Sequence, residues 1–387
     1  MLQHRLDGPE SGEPLILGPS LGTSWRLWEP QLPALARAFR VLRFNLPGHG
    51  DSPTSITPTP VTPASGSALP AVRTVEDLAE LVLEAADAQG FESFHYAGVS
   101  IGGAIGATLA VRRPERVRSL AMICSSASFG EPGPWLDRAR LVRAEGTAPL
   151  LEATAARWFA VPAAHRPAPL ARALLDDLGA VAPEGYAACC DALSAYDLRD
   201  SLPAVKAPTL VVAGRDDPAT PPAHARELAD GIPGATLVEL AGAAHLAVVD
   251  QPERVTSALL AHLPSVPGMR VRREVLGDAH VDRALARTTP FTRDFQDLIT
   301  RYAWGEIWTR PGLDRRTRSC VTLTALVAHG HLDELAMHVR AALRNGLTPD
   351  EIGEVLLQTA VYCGVPAANS AFAVAQRVLA EEPCAEP

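Results

Sequence analysis

The chain has 387 residues, 47% of them apolar and 20% charged, with a formal net charge of −9. That length exceeds what one hydrophobic core normally organises, so two domains are expected. The negative balance argues against nucleic acid and against an anionic membrane surface as partners. With no run of eighteen apolar residues and no apolar secretory region near the first residue, a soluble cytoplasmic protein is expected. The six cysteines (Cys124, Cys189, Cys190, Cys320, Cys363 and Cys384) form no Cys-x-x-Cys and no metal spacing, and read as buried or inert thiols.

Taken in chain order, strand-like and helix-like text alternates over the first third. The patterns predict strand 14–17, helix 25–39, strand 41–45, helix 75–89, strand 94–99, helix 101–112 and strand 117–124. This is a doubly wound α/β pattern. Residues 54–71, rich in Pro, Ser, Thr and Ala and without period, read as a flexible surface loop. From 129 to 197 the text is helical, with runs at 150–159 and 170–178, and an insertion of that kind reads as a lid. Strand 209–213 then resumes the sheet, and helix 251–262 closes a domain spanning 1–263.

Within this pattern Gly98-Val99-Ser100-Ile101-Gly102 places a serine between two glycines where a strand turns into a helix. That is the form of a nucleophile elbow, whose strained turn leaves no room for Cβ atoms at the flanking positions. A bare Gly-x-Ser-x-Gly is common, and context carries the reading. Gly214-Arg215-Asp216-Asp217-Pro218 ends a later strand, and Ala241-Gly242-Ala243-Ala244-His245 follows another, in the order nucleophile, acid, histidine. A serine hydroxyl needs an imidazole to take its proton and a carboxylate to hold that imidazole in the right tautomer. Ser100, His245 and Asp217 take these roles, with Asp216 the other candidate acid. The developing oxyanion needs preorganised donors, here the N–H groups of Ile101 and of Leu21 in the loop after the first strand. Arg26 and Arg157 are candidates for binding a substrate carboxylate, with Trp158 beside them in the lid.

A linker is expected at 264–269. From 270 to 387 the text is helix after helix: Leu332, Leu335, Ala336, Val339 and Leu343 recur at helical spacing, and Thr348-Pro349-Asp350-Glu351 is a helix start with a capping box. The tail is expected to be a separate all-α domain.

Two resemblances follow from longer stretches. The first portion resembles 3-oxoadipate enol-lactone hydrolases through Ser20-Leu21-Gly22-Thr23, Arg43-Phe44-Asn45-Leu46-Pro47-Gly48-His49-Gly50-Asp51-Ser52, the elbow, Arg157-Trp158-Phe159 and the segment Gly214 to Pro221. The second resembles 4-carboxymuconolactone decarboxylases through the segments Trp304 to Leu313, Glu334 to Ala342 and Thr359 to Asn369. The pair implies an α/β-hydrolase fold with a helical lid followed by an all-α decarboxylase-like domain, together catalysing consecutive steps of protocatechuate breakdown on small lactone carboxylates. The resemblance implies no cofactor, and assembly into a homo-oligomer through the second domain. In carboxymuconolactone the departing carboxylate is one vinylogous unit from the lactone carbonyl, so the substrate supplies its own electron sink. His338 is then the expected proton donor, Glu306 its orienting partner, and Arg318 or Arg310 a carboxylate ligand.

A metal is not expected, although His331, Glu334 and His338 share a helix face, because no His-Glu-x-x-His or similar ligand pattern occurs. The decarboxylase half is also similar to the alkylhydroperoxidase-like superfamily. Its redox members carry Cys-x-x-Cys where this chain has His331 and Glu334, so thiol peroxidase chemistry is not expected. The alternative is a broad carboxylesterase whose helical tail serves only assembly.

Overall fold

The computed structural model describes residues 1–54, 72–160, 169–263, 266–289 and 291–381. They fall into two compact units, Met1–Pro264 and Ser265–Pro387.

The first unit is built on seven strands: β1 (His4–Asp7), β2 (Glu13–Gly18), β3 (Phe39–Phe44), β4 (Phe94–Val99), β5 (Val117–Ile123), β6 (Thr209–Gly214) and β7 (Thr236–Leu240). Their order in the sheet is β1-β3-β2-β4-β5-β6-β7, with β1 antiparallel and the rest parallel. β4 and β6 are buried along their whole length, as continuous apolar text demands of strands covered on both faces. Chain reversal in the sheet order on either side of β2 and β4 leaves a crevice at the carboxyl ends of the central strands, where ligands of open α/β sheets bind.

Three local expectations change. The helix predicted over 25–39 is a 3₁₀ turn, Trp25–Trp28, and a single helical turn, Leu32–Leu35, because Pro30 and Pro33 interrupt the hydrogen-bond ladder. β1 has no counterpart in the sequence reading, since its half-exposed residues show no apolar alternation. The expected loop 54–71 lies outside the described residues, apart from Thr54.

Between β5 and β6 the chain leaves the sheet through the helices Pro132–Glu145, Leu151–Trp158, Pro169–Gly179 and Pro183–Ser194. A bridge between Ser128 and Asp197 closes the base of this helical lid.

In the second unit every described element is helical: Val266–Leu276, Asp278–Ala286, Arg293–Ile299, a π-helical stretch Thr300–Ile307, Arg315–His329, Leu332–Arg344, Pro349–Cys363 and Val365–Glu381. The chain is already helical from Val266, so the linker expected over 264–269 is shorter than its Pro and Gly content suggests. Thr348 and Glu351 form the capping box read from the sequence. One core gathers Leu323, Leu335, Val339 and Leu356, and a smaller one gathers Val271, Val275, Val281 and Trp304. Among the described residues no helix is long and apolar enough to cross a membrane.

Candidate active sites

Ser100 sits between β4 and the helix Ile101–Arg112 with φ 57° and ψ −119°, a left-handed backbone that a non-glycine residue adopts only under strain. A Cβ on Gly98 would lie 2.2 Å from the Gly102 backbone, and one on Gly102 would lie 2.6 Å from the Pro19 carbonyl oxygen. The spacing Gly-x-Ser-x-Gly is therefore imposed by backbone against backbone. Ile101 is the first helical residue, so its N–H has no partner inside the helix.

His245 follows β7 and faces the end of β6. Its Nδ1 lies 2.9 Å from Asp217 Oδ2, and both side chains are buried. The Asp217 carboxylate also accepts from the Ala219 N–H at 2.8 Å, the Thr220 N–H at 3.0 Å and the Thr220 hydroxyl at 2.6 Å. Burial alone would raise its pKa, but the charge of His245 and these hydrogen bonds outweigh burial and hold the carboxyl below its usual value. Asp216 is exposed. The geometry therefore places Asp217 as the acid of the pair.

A cavity of about 270 Å³ opens over Ser100 and His245. Leu21 lines it, next to Gly22, whose N–H donates to His49 Nε2 at 3.0 Å. His49 is fully buried, and its Nδ1 lies 2.9 Å from the Pro47 carbonyl oxygen, which fixes Nδ1 as the protonated nitrogen and Nε2 as the acceptor. Burial lowers its pKa to about 4, against a backbone hydrogen bond that raises it. The loop that His49 pins carries the Leu21 N–H. Between pH 6.5 and about 4 the unfolded chain holds a proton here that the native chain does not, so stability falls as pH falls through that window, by on the order of 3 kcal/mol for this one group. Urea midpoints measured across that range should drop steeply for the wild type and less steeply for His49→Gln, whose amide keeps an acceptor near the Gly22 N–H. Parallel curves for the two proteins would remove His49 as the cause.

The lid supplies most of the remaining lining. Trp158 is buried against the cavity, and the carbonyls of Arg157 and Trp158 accept from the N–H groups of His245 and Leu246 at 3.3 and 2.9 Å. The lid thus holds the histidine loop directly. Arg157 points into the cavity with its Nη2 3.2 Å from Thr154 Oγ1 and no ion pair among the described residues. Arg138 joins it, its guanidinium 4.7 Å from the centre of the Trp135 ring, likewise without an ion pair among the described residues. Burial depresses the pKa of Arg157, and the positive charge of Arg138 depresses it further. Two unneutralised guanidiniums in one recess form an anion-binding arrangement. Arg138 was missed in the sequence, although Trp135 and Arg138 stand three residues apart on one helix face, a spacing that brings side chains together. Arg26, the other expected carboxylate ligand, is not part of this lining: it pairs with Asp177 at 3.4 Å and its side chain is half exposed.

The second unit treats its expected residues differently. His338 is half-buried on the helix Leu332–Arg344. Burial and then the charge of His280 lower its pKa to about 4, with Glu334 acting in the opposite sense. Glu306 and Arg310 are exposed, and Arg318 Nη2 donates to the Arg310 carbonyl oxygen at 2.9 Å. Among the described residues none of the three is hydrogen-bonded or ion-paired to His338. The expected Glu306–His338 pairing is therefore replaced by a neighbourhood of His280 and Glu334, because the wide π-helical stretch ends with Glu306 turned to solvent. Among the described residues no three His, Cys, Asp or Glu side chains gather as a metal-binding group.

The strained serine turn, the buried His–Asp pair and the lidded cavity define a hydrolase of the α/β type. Residues 13–252 match the family described as alpha/beta hydrolase fold, and residues 293–377 match the carboxymuconolactone decarboxylase family. The chain belongs to the alpha/beta hydrolase fold family, and through its second unit also to the carboxymuconolactone decarboxylase family. It is 51% identical over 111 residues to 4-carboxymuconolactone decarboxylase of Acinetobacter baylyi, covering 29% of this chain and 83% of that protein. It is 30% identical over 253 residues to 3-oxoadipate enol-lactonase 1 of the same organism, covering 65% of this chain and 89% of that protein. Among solved structures, the enol-lactonase from Burkholderia xenovorans LB400 superposes with a TM-score of 0.61 at 34% identity, covering 68% of this chain and 96% of that one.

Proposed function

We propose that this chain is a bifunctional enzyme of the 3-oxoadipate pathway: it decarboxylates 4-carboxymuconolactone to 3-oxoadipate enol-lactone and hydrolyses that lactone to 3-oxoadipate. The observation that carries this reading is the presence on one chain of relatives of both enzymes, the product of one being the substrate of the other. The unneutralised Arg138 and Arg157 above Ser100 support an anionic lactone as the hydrolase substrate over a neutral ester.

In the hydrolase site Ser100 Oγ attacks the lactone carbonyl while His245 takes its proton and Asp217 holds the imidazole. The N–H groups of Ile101 and Leu21 receive the oxyanion. Ring opening expels an enolate, which becomes the ketone on protonation, so the leaving group is unable to reclose efficiently. Water then releases 3-oxoadipate, with His245 as base. In the decarboxylase, the bond from the γ-carbon to the carboxylate breaks, its electron pair runs through the ring double bond to the lactone carbonyl, and a proton is delivered to the α-carbon from the side of His338. One carbon dioxide leaves and one proton arrives.

The purified chain should release one carbon dioxide and yield one 3-oxoadipate per 4-carboxymuconolactone. Turnover of simple aryl esters without carbon dioxide release would favour a broad carboxylesterase instead. A second copy of the chain is the expected partner of the second unit, where the apolar side chains of Val361, Tyr362 and Val365 are each more than two-thirds exposed. Light scattering of the full chain measures that assembly. A cytoplasmic location is supported by the unpaired thiols of Cys124, Cys189, Cys190, Cys320 and Cys363.

A further inference from the structure

The second unit holds a recess that its sequence did not announce. The helices Val266–Leu276 and Asp278–Ala286 meet at Gly277, whose φ of 85° lets the chain turn sharply. Between that turn and the helix Leu332–Arg344 lies a cavity of about 300 Å³. Its walls carry His280, Arg283, Arg340 and Arg344, with Asp278 as the one acid among its lining residues.

The charges in this recess do not cancel. Asp278 is already engaged by Arg273 at 3.1 Å. Arg340 is paired with Glu381. Arg283 and Arg344 make no ion pair among the described residues, and Arg344 instead donates to the Leu276 carbonyl oxygen at 2.9 Å. Behind them Arg272 is 4% exposed and bonds only neutral oxygens, Thr300 Oγ1 and Gln296 Oε1, each at 2.9 Å. Its Nε has no partner. A buried guanidinium without a carboxylate is costly, and such groups mark places where an anion is meant to arrive. His280 registers the field: burial lowers its pKa, and the charges of Arg283, Arg272, Arg344 and Arg340 lower it further. In a chain of net charge −9 this concentration of positive charge is a local construction.

The recess also adjoins the residue expected to move a proton. Met337 lines it, His338 is the next residue, and the charge of His280 acts on His338. A dianionic lactone suits these features: its carboxylates meet guanidiniums, and its ring then lies near two imidazoles.

We propose that this cavity is the substrate pocket of the decarboxylase, in which Arg283 and Arg344 bind the carboxylates of the dianionic lactone and His280 stands beside His338 as a second imidazole. The assignment rests on reading the second unit as a carboxymuconolactone decarboxylase, and it moves the carboxylate ligands from Arg310 and Arg318 to the segment Gly277 to Arg283 and the end of the helix Leu332–Arg344. On this arrangement the incoming negative charge raises the imidazole pKa values, so that a proton is taken up with substrate and is in place when carbon dioxide departs.

Steady-state kinetics on the full chain test it. Arg283→Ala and Arg344→Ala should each raise KM for 4-carboxymuconolactone by about 10- to 100-fold, the loss expected for one charge-assisted contact, with hydrolysis of added enol-lactone unchanged. Arg377→Ala, an exposed control in the same unit, should leave both activities alone. Because an arginine variant can fail by misfolding, the wild type is also footprinted with phenylglyoxal, and adipate, a stable dianion, should protect Arg283 and Arg344 but not Arg377. Unchanged KM in both variants, or equal labelling with and without adipate, overturns the pocket assignment. A wild type that releases no carbon dioxide yet shows the adipate protection refutes the decarboxylase reading while retaining an anion pocket.

Discussion

Ser100→Ala still releases carbon dioxide from 4-carboxymuconolactone but accumulates enol-lactone, whereas His338→Ala hydrolyses added enol-lactone normally and barely decarboxylates. This is the expected result if the two units hold separate sites with no residue in common. Removing Ser100 deletes the proposed nucleophile of the lactonase, and losses for a triad serine are on the order of a million-fold in kcat. Removing His338 deletes the proposed general acid, a loss of about 100- to 10,000-fold. The two residues belong to different compact units, so the two proposed sites share neither of them. Mixing the two variants restores 3-oxoadipate, since a released product diffuses from one protein to the other. Carbon dioxide and 3-oxoadipate are measured for each variant alone and together. Loss of both activities in a Ser100→Ala protein that circular dichroism shows to be folded would sink the two-site reading.

Asp217→Asn lowers kcat for enol-lactone hydrolysis by about 10,000-fold, and Asp216→Asn costs at most a few-fold. The reason is the tautomer of His245. Asp217 Oδ2, 2.9 Å from Nδ1, requires the proton there and leaves Nε2 to act as base toward Ser100. An amide in its place can present its NH₂ to Nδ1 and invert that arrangement. Asp216 is solvated and has no hydrogen bond to the histidine among the described residues. Steady-state rates for the two variants decide between the carboxylates, and the opposite ranking would transfer the role to Asp216.

Much of the hydrolase was readable because its parts are local. The strand, the glycines and the serine of the elbow are within a few residues of one another, and backbone crowding alone dictates Gly98 and Gly102. The helical lid, with its run of apolar and small residues between two buried strands, was legible for the same reason, as was the capping box at Thr348. Pro30 and Pro33, by contrast, broke a helix whose apolar spacing was otherwise convincing.

What was not legible depends on side-chain direction and on long-range proximity. Asp216 and Asp217 are equivalent as text. In the fold one is buried on His245 and the other is exposed. Arg26 and Arg157 are likewise equal as arginines near a site, yet Arg26 is held by Asp177, 151 residues away, while Arg157 is left without a carboxylate in the cavity. The same holds for Arg138, for His49 beneath the Leu21 loop, and for the basic recess around His280.

Residue types, their periods and short motifs were thus enough for the two families, the two units, the helical lid and the serine–acid–histidine order, since each follows from interactions within a few residues or from the period of a single element. Which acid lies against His245, which arginines remain without an ion pair among the described residues, and that Glu306 faces solvent were decided by the tertiary structure. A charge such as that of Arg26 is neutralised by a group 151 positions away in the chain, and nothing in the local text encodes that proximity.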